Sequence, residues 1–522
     1  WFVVTVEPPE FTADLSCEKH QACETQEVAG MSFWTPRHIQ AITQGQWLTQ
    51  PPDAQLALTG VSTDTRTISQ NQVFIALAGD RFDGHDYLSN AAQAGASVLI
   101  VSDEGKAGVD TAGAGVLLVP DTLIALQTLA RDYRDALGQA GVRVVAVGGS
   151  NGKTTTRNLI HTALLATLRG TQSPKSFNNH IGVPLTLLAA SQEDDFVVVE
   201  VGTNHPGEIE LLAKLVRPDA AVITSIGHEH LAFFKDLAGV AKEEAELLRH
   251  VRPGGIVLLP GERSQRQWLE PYVSNVPADV KTLYFGSMSN TGLTARDIRM
   301  NAGGSSFTDA TGLHVTLPLL GRHNIDNALA ALAIARWMGV PDDAVAKSLA
   351  QARGVSMRLE QSQLGEGDQA ITLINDAYNA NPDSMRAALE TLASLTPASP
   401  AGRRIAILGD MLELGDLSPA THRELGQFVA ELDARRLSET GRPAIDLVVF
   451  IGKLSLFAAG EGGRAWPESR FTAIPVWNDE TPGQVASMIQ PGDIVLIKAS
   501  RGMALERVIP SIQTKLSGAS AS

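Results

Sequence analysis

The most constraining feature of the chain is the stretch from residue 143 to residue 160, Arg-Val-Val-Ala-Val-Gly-Gly-Ser-Asn-Gly-Lys-Thr-Thr-Thr-Arg-Asn-Leu-Ile. The apolar residues 144–147 predict a buried strand, and the spacing of Leu159, Ile160 and Leu164 predicts a helix. A glycine-rich turn and Gly-Lys-Thr lie between them. A strand, a glycine turn, Gly-Lys-Thr and a helix, in that order, are typical of a phosphate-binding loop.

Each part of this loop has a task in nucleotide binding. Glycines let the backbone N–H groups point at phosphate oxygens, and the helix N-terminus adds a partial positive charge. Lys153 would reach the β- and γ-phosphates, and Thr154 would bind Mg²⁺. One position departs from the general motif, because Val147 stands where a glycine is usual. The candidate ATP-binding residues of the loop are Gly149, Ser150, Asn151, Gly152, Lys153, Thr154 and Thr155.

Length, charge and cysteine content limit the possible functions. A chain of 522 residues suggests three domains at roughly 150 residues each. Its formal net charge of −15 argues against a nucleic-acid partner, and no apolar run reaches the ~20 residues that a membrane-spanning helix needs. The only cysteines, Cys17 and Cys23, provide no disulfide framework or cysteine metal site for the fold. We therefore expect a cytoplasmic protein without membrane insertion, and we expect a monomer.

The sequence predicts an α/β protein whose regular pattern begins near Met31. Residues 1–30 are acidic and aperiodic, and we expect a disordered extension there. Apolar strands alternate with helical patterns along the rest of the chain, as parallel sheets with crossover helices require. The predicted domains are an N-terminal α/β domain at 31–140, a central ATP-binding domain at 141–353 and a C-terminal domain at 354–522.

The first of these domains contains two polar loops that follow predicted strands. Its first predicted element is a short helix at 36–48. The loop residues can bind a ligand, or they can serve only as turn and helix-cap residues, and the sequence favours neither interpretation. The candidates for ligand binding are Thr63, Asp64, Thr65, Arg66, Arg81 and Asp83.

In the central domain, chemically interesting residues stand at the ends of predicted strands 196–201 and 220–226. Glu200 closes an apolar run, and a buried carboxylate must be paired or bound to a metal. It is therefore either a Mg²⁺ ligand or a satisfied core acid. The second strand leads to Gly-His-Glu-His, where His228 and His230 are two residues apart. We expect only one of these histidines to bind a metal.

A long helical pattern begins with Gly-Arg-His-Asn-Ile-Asp-Asn at residues 321–327. Asn324 and Asn327 are three residues apart and so share one helix face. Their amides suit a contact with adenine, although Asn324 would also serve as a helix cap. Both interpretations stay open from the residues alone.

The C-terminal domain repeats the α/β rhythm without a phosphate loop. Its predicted strands are 370–375, 405–408, 447–451 and 494–498, and polar residues follow several of them. No Gly-x-Gly-x-x-Gly opens the domain, which argues against NAD binding. A phosphate loop, Glu200 and a histidine imply ATP and Mg²⁺, and two further α/β domains must then hold two other reactants. This arrangement suits ATP activating one substrate for attack by another.

Motifs along residues 32 to about 515 carry a family resemblance. They include Ser-Thr-Asp-Thr-Arg at 62–66, Gly-Asp-Arg-Phe-Asp-Gly-His at 79–85, the phosphate loop, Phe-Asn-Asn-His-Ile-Gly-Val-Pro at 177–184, Asp-Ala-Tyr-Asn-Ala-Asn-Pro at 376–382 and Lys-Ala-Ser-Arg at 498–501. On these motifs the chain resembles the Mur ligases. The stretches at 81–85 and 378–382 resemble the branch of the family that adds D-alanyl-D-alanine.

The resemblance implies a three-domain architecture with a central P-loop parallel sheet and a Rossmann-like C-terminal domain. It also implies an ATP-dependent ligase that joins D-alanyl-D-alanine to UDP-N-acetylmuramoyl-tripeptide in peptidoglycan precursor synthesis. The tripeptide carboxylate would attack the γ-phosphate of ATP, and the dipeptide amine would then attack the acyl phosphate. The N-terminal domain would hold the UDP substrate, and the C-terminal domain would hold the dipeptide.

Roles for individual residues also follow from the resemblance. Thr154 and Glu200 would bind one Mg²⁺ and His230 a second, whereas no matched motif gives His228 or Glu229 a role. Asn327, with Asn324 beside it, would contact adenine, Asp376 the ribose and Arg358 the γ-phosphate side. Thr65 and its neighbours would bind UDP, and further substrate contacts would come from Asn179, Tyr378, Asn381, Ser500 and Arg501.

One catalytic position departs from the family pattern. Mur ligases usually carry a carbamylated lysine 14 residues after the metal histidine, and here that position is Glu244. Lys242 is the nearest lysine, but two residues of helix turn it ~200° away. Our hypothesis is that Glu244 supplies a permanent carboxylate to the metal. The alternative is that Glu244 is merely solvated and the second metal is held differently.

Two other functions remain open at this stage. One is a related ligase with another amino-acid substrate, such as the folylpolyglutamate or diaminopimelate members of the family. The other is a non-catalytic ATP-binding scaffold, which the glutamate at 244 alone favours.

Overall fold

The computed structural model describes residues 34–79, 82–108, 110–290, 292–367, 370–397, 399–467 and 470–519. The predicted extension at 1–30, with both cysteines, lies outside the described residues. We use the names first, central and third lobe for the described residues within 34–140, 141–353 and 354–519. The domain boundaries themselves stay a prediction.

The first lobe is built on a sheet in the order β1-β7-β6-β3-β2, in which only β1 is antiparallel to its neighbour. A two-stranded hairpin, β4-β5, lies outside this sheet. The elements are α1 Pro36–Thr43, β1 Gln46–Thr49, β2 Val61–Ser62, β3 Gln72–Ile75, β4 Ala78–Gly79, β5 Phe82–Asp83, α2 Leu88–Gln93, β6 Ala96–Val101, β7 Gly115–Leu118 and α3 Thr122–Gln139.

The single helix predicted at 36–48 is wrong in its second half. Helix α1 ends at Thr43, because Gln44 adopts a left-handed conformation with φ of 55°. Gly45 then packs tightly against β7, where an added Cβ would lie 2.8 Å from Leu117 Cγ. The chain continues as the edge strand β1, so a contact distant in sequence overrides the local helical pattern.

The central lobe contains a six-stranded sheet in the order β13-β12-β11-β8-β10-β9, and all of its strands are parallel. A three-stranded antiparallel sheet, β14-β15-β16, accompanies it. The elements are β8 Arg143–Gly148, α4 Lys153–Leu164, β9 Gly170–Gln172, α5 Gly182–Ala189, β10 Phe196–Glu200, α6 Glu208–Val216, β11 Ala220–Ile223, α7 Leu231–Phe234, α8 Leu237–Glu244, β12 Ile256–Pro260, α9 Arg263–Leu269, β13 Lys281–Phe285, β14 Ala295–Asn301, β15 Gly304–Asp309, β16 His314–Leu317, α10 His323–Trp337 and α11 Asp342–Leu349.

The central strands are buried on both faces, which explains their nearly continuous apolar sequences. In β8, Val144 packs into one core cluster and Val145 into the cluster on the opposite face. The strand predicted at 220–226 ends earlier, at Ile223. The next two residues leave the sheet, because the hydroxyls of Thr224 and Ser225 donate to the carbonyl oxygen of Asn151.

The third lobe has a six-stranded sheet in the order β17-β18-β22-β19-β20-β21, parallel except for the edge strand β17. The predicted strands of this lobe are confirmed to within one residue. The elements are β17 Glu360–Leu364, β18 Ile371–Asn375, α12 Pro382–Ser394, β19 Arg404–Gly409, α13 Ser418–Thr440, β20 Leu447–Ile451, α14 Ser455–Ala465, β21 Phe471–Ile474, α15 Thr481–Met488, β22 Ile494–Lys498 and α16 Ile509–Ala519.

Helix α3 joins the first lobe to the central lobe. Its apolar face belongs to a core cluster that continues into the central sheet. The guanidinium of Arg134 is buried and donates to the carbonyl of Val216 and to Asp219 Oδ2, at 2.8 Å each.

Helices alternate with mostly parallel strands in all three lobes, which confirms the predicted α/β class. None of the described helices combines the length and the apolar character that a membrane crossing requires.

Candidate active site

A cavity of about 560 Å³ lies where loops of the central lobe face loops of the third lobe. The central-lobe loops follow β8, β10, β11 and β12, at the carboxyl ends of neighbouring parallel strands. The third lobe contributes loops after β18 and β19 and the last residue of β22. Parallel α/β sheets bind their ligands beyond this edge, which makes the cavity the candidate active site.

The glycine loop between β8 and α4 has the conformation that its sequence predicts. Gly149 and Gly152 have φ of 109° and 85°, values that residues with a Cβ rarely adopt. A Cβ on Gly149 would also overlap Thr224 Oγ1. Helix α4 begins at Lys153, so its free N–H groups lie at the cavity wall. The predicted strand, glycine turn and helix are confirmed.

Lys153 is held by three oxygen acceptors beside the loop. Its ammonium donates to the carbonyl of Gly149 and to that of Ser150, the latter at 3.1 Å, and lies 3.4 Å from Glu229 Oε2. Burial works against the charge of Lys153, but the carboxylates of Glu229, Glu244 and Glu200 outweigh it and raise its pKa. The sequence interpretation gave Glu229 no role, and the structure places it against the central cation of the loop.

Glu200 is fully buried at the end of β10 and has partners for both oxygens. Asn178 Nδ2 donates to Oε1 at 3.0 Å, and Arg157 donates to Oε2 at 3.2 Å. Burial lowers the pKa of Arg157, and the charge of Glu200 opposes that shift. The geometry is that of a satisfied buried acid that also lines the cavity.

Glu244 ends helix α8 and is completely buried behind the glycine loop. Its Oε2 accepts a 2.7 Å hydrogen bond from the N–H of Gly149, whereas Oε1 has no partner among the described residues. Burial raises the pKa of Glu244 to about 8, against the opposing charge of Lys153. Lys242 is exposed, as the helical geometry predicted, and the alternative of a solvated Glu244 is wrong.

Four side-chain pairs join the two walls of the cavity. Asn381 donates to Asn151 Oδ1 in the glycine loop at 2.8 Å, and the hydroxyl of Tyr378 donates to Ser176 at 2.9 Å. The other two pairs join His228 to Asp383 and His230 to Glu413, each at 3.1 Å. The hydrogen bond and the charge of Asp383 raise the pKa of His228. The third lobe thus contacts the phosphate loop directly.

Comparisons with known proteins cover nearly the whole chain. Family models match at residues 57–134 (Mur ligase family, catalytic domain), 147–335 (Mur ligase middle domain) and 357–501 (Mur ligase, glutamate ligase domain). A relative from Bacillus subtilis, named UDP-N-acetylmuramoyl-tripeptide–D-alanyl-D-alanine ligase, is 36% identical over 92% of this chain and 98% of its own length. This chain belongs to the Mur ligase family.

Further relatives agree with that assignment. An Escherichia coli protein of the same name is 34% identical over 88% of this Mur ligase and 95% of its own length. The crystal structure of MurF from Acinetobacter baumannii has a TM-score of 0.76 at 30% identity, covering 92% of this chain and 99% of that one. MurF from Thermotoga maritima in complex with ADP has a TM-score of 0.70 at 25% identity, covering 88% and 98%. The expected three-domain Mur ligase architecture is confirmed.

The structure brings most of the predicted nucleotide residues of this Mur ligase to one cavity. Asn324 and Asn327 line it from α10. Asn324 lies in the first turn of this helix, donates to the carbonyl of Leu320 before the helix, and does not cap it. Asp376 also lines the cavity and pairs with Lys498 at 2.7 Å. The remaining predicted residues at the cavity are Ser150, Asn151, Gly152, Lys153, Thr154, Thr155, Asn179, Glu200, His230, Arg358, Tyr378 and Asn381.

Other predicted substrate residues lie elsewhere. Ser500 is buried and bonds to backbone groups of Leu412 and Ala380, and Arg501 pairs with Glu506; neither lines this cavity. The predicted residues of the first lobe lie in loops of that lobe, and Arg81 falls outside the described residues.

In those first-lobe loops, Thr63 and Thr65 flank Asp64, whose carboxylate caps a short 3₁₀ helix and pairs with Arg66. The hydrogen bonds from Arg66 lower the pKa of Asp64 to about 2. Asp83 caps the next 3₁₀ helix and pairs with Lys106. The turn and cap chemistry is present at both aspartates, and a ligand-binding role stays a prediction.

Proposed function

We propose that the chain is an ATP-dependent ligase that joins D-alanyl-D-alanine to UDP-N-acetylmuramoyl-tripeptide in peptidoglycan precursor synthesis. The observation that carries this proposal is the match, over almost the whole chain, to relatives named for that reaction at 36% and 34% identity. The cavity supports it, because a phosphate-binding loop faces a second α/β lobe across a space that both lobes line.

The reaction has two steps in this proposal. The tripeptide carboxylate attacks the γ-phosphorus of ATP, so that ADP leaves and an acyl phosphate forms. The dipeptide amine then attacks the acyl carbon, loses a proton, and expels inorganic phosphate from a tetrahedral intermediate. Both steps depend on positioning and charge neutralisation. Lys153 and the N–H groups of the glycine loop would stabilise the transferred phosphoryl group, with Arg358 on its outer side.

The nucleotide would lie between the two lobes. The N–H groups from Gly149 to Thr155 would surround its phosphates, Asn324 and Asn327 would contact adenine, and Asp376 would contact the ribose. The ADP complex of the Thermotoga maritima neighbour supports ATP as the co-substrate. Lys498, which neutralises Asp376 at 2.7 Å, would hold that carboxylate in place.

Mg²⁺ is the metal that we propose with ATP, and when bound it would neutralise charge on the β- and γ-phosphates. The proposed ligands are Thr154, Glu200, His230 and Glu244. Hydroxyl and carboxylate oxygens suit this ion, and Thr154 Oγ1 is buried without a hydrogen-bond partner among the described residues. Within the described part of the chain, no three His, Cys, Asp or Glu side chains form a metal-binding group, so phosphate and water oxygens must complete the coordination.

Glu244 would replace the carbamylated lysine of related enzymes. Its burial beside Gly149 supports this proposal, because the carboxylate is fixed next to the phosphate loop without any modification. Bicarbonate should then leave the activity of the wild type unchanged, and Glu244→Gln should reduce it strongly. Rescue of activity by CO₂, or a comparable loss in the matched control Lys242→Ala, would contradict the proposal.

The other two reactants are assigned to the outer lobes. The first-lobe loops around Thr65 and Asp83 would hold the UDP substrate. Tyr378 and Asn381 would hold the dipeptide, together with Ser500 and Arg501, which lie outside the cavity lining. The domain boundaries at 140 and 353 belong to this proposal, as do a monomeric state and a cytoplasmic location where ATP is available.

The test is phosphate release from ATP and Mg²⁺ by the purified protein. UDP-N-acetylmuramoyl-tripeptide and D-alanyl-D-alanine are added separately and then together, and products are weighed by mass spectrometry. We expect release only with both, a product heavier by one dipeptide, and loss of both signals in Lys153→Ala. Bound ATP with no release under any condition would favour a scaffold, and release with another amino acid in place of the dipeptide would favour a different ligase.

A further inference from the structure

Glu229 is the one carboxylate at the phosphate loop to which the motif analysis gave no role. It follows β11 and lines the cavity, and only 9% of its surface is exposed. Its Oε2 lies 3.4 Å from the ammonium of Lys153. Its Oε1 is buried and has no hydrogen-bond partner among the described residues. A buried carboxylate oxygen without a partner is costly unless a ligand satisfies it.

The side-chain oxygens near Glu229 differ in whether they have a hydrogen-bond partner and in whether they line the cavity. Both oxygens of Glu200 accept hydrogen bonds from protein side chains. Glu244 lies behind the loop and is not part of the cavity lining. Two oxygens therefore combine burial, a place on the cavity wall and the lack of a partner among the described residues, namely Glu229 Oε1 and Thr154 Oγ1.

These two oxygens have the chemistry of a divalent-cation site. Mg²⁺ is usually bound through one or two carboxylates together with substrate phosphates and water. A threonine hydroxyl at the start of the helix after a glycine loop is the usual metal ligand beside a bound nucleotide. Lys153 already satisfies Glu229 Oε2, so Oε1 can accept a cation without releasing the lysine.

We propose that Glu229, together with Thr154, binds the divalent cation that accompanies the nucleotide. The inference rests on the proposed use of ATP, and it adds a ligand that neither the sequence motifs nor the family resemblance assigns. Two protein oxygens leave most coordination positions open, so the site holds its cation only with the nucleotide phosphates present.

The test measures Mn²⁺ binding by electron paramagnetic resonance, with and without a non-hydrolysable ATP analogue and without either other substrate. Mn²⁺ suits the same oxygen ligands as Mg²⁺. We expect tight Mn²⁺ binding by the wild type only with the analogue, and we expect Glu229→Gln to weaken it at least about tenfold. Glu229→Asp keeps a carboxylate and should retain part of the affinity. Glu262→Gln removes one negative charge from the same cavity and should leave it unchanged.

An unchanged Mn²⁺ affinity in Glu229→Gln would overturn the proposal. Equal weakening by Glu262→Gln would also overturn it, because the effect would be one of general charge. The readout needs no peptide substrate, so a failed ligase assay together with the predicted Mn²⁺ pattern would reject the proposed reaction and keep this metal site.

Discussion

Replacing Glu244 by glutamine should stabilise the protein, and the gain should increase with pH. Burial raises the pKa of Glu244 to about 8, against an ordinary value of 4.5. Between these two pH values the metal-free native state holds a proton that the unfolded state has lost, whereas a bound cation would displace that proton. The stability of the wild type therefore falls as pH rises through this window, whereas glutamine has no proton to lose. Its amide oxygen can still accept the hydrogen bond of Gly149.

The size of the effect follows from the width of the window. Each pH unit inside this window lowers the unfolding free energy of the wild type by about 1.4 kcal/mol relative to that of the variant. Between pH 5.5 and 7.5 the difference in unfolding free energy should grow by about 3 kcal/mol in favour of Glu244→Gln. The same variant should lose most of its ligase activity, so stability and activity should change in opposite directions.

Urea titrations in EDTA at pH 5.5, 6.5 and 7.5 measure this difference. Glu246→Gln is a matched control on the following turn, because it removes a carboxylate that is half-buried and pairs with Arg249 instead of one that is completely buried. If Glu244 were instead ionised throughout as the partner of Lys153, its loss would destabilise the protein by about 3 to 5 kcal/mol at every pH. That result would show that Glu244 is not protonated in the metal-free native state.

Two further predictions concern ion pairs in other parts of the molecule. Asp219→Asn should lower the unfolding free energy measured in urea by about 3 to 5 kcal/mol, because it leaves the buried Arg134 uncompensated. The control Lys214→Ala breaks an exposed ion pair and should cost about 0.5 kcal/mol or less. Equal losses in the two variants would contradict the view that burial of the Arg134–Asp219 pair makes its loss costly. Asp383→Asn should raise the KM for ATP by loosening the contact between the lobes. Since Asp383 raises the pKa of His228, the charged pair is present below that pKa and is lost above it, so the difference from the wild type should shrink from pH 6 to pH 9. A difference in KM between Asp383→Asn and the wild type that does not change with pH would contradict the role of the charged His228–Asp383 pair.

The phosphate loop and the strands around it could be predicted because every signal in them is local. The apolar run of β8, its glycines and the start of α4 at Lys153 all appear within twenty residues of sequence. The angle between helix residues predicted that Lys242 and Glu244 lie on different helix faces, but it left open whether Glu244 is buried. The same reasoning placed Lys242 on the exposed face, where the structure has it.

Features that depend on distant contacts could not be predicted in this way. Helix α1 ends early because Gly45 packs against Leu117. The strands β14 to β16 were missed because their exposed residues are mostly polar, so they lack the apolar runs of the central sheet.

The contact between Glu229 and Lys153 was missed for a related reason. It depends on the turn after β11, where His230, the residue after Glu229, adopts a left-handed conformation with φ of 47°. A carboxylate between two histidines, a few residues after a buried strand, was the available signal. The roles of the individual site residues stay predictions.

The most direct test of the account follows the oxygen of the substrate carboxylate. The tripeptide substrate is prepared with ¹⁸O in the carboxylate that becomes the amide, and the phosphate released during ligation to D-alanyl-D-alanine is analysed by mass spectrometry. If an acyl phosphate forms, one ¹⁸O passes to phosphate for each amide formed, so we expect one labelled phosphate for each amide. Amide formation with unlabelled phosphate would show that the carboxylate never attacks ATP, and it would contradict the central claim.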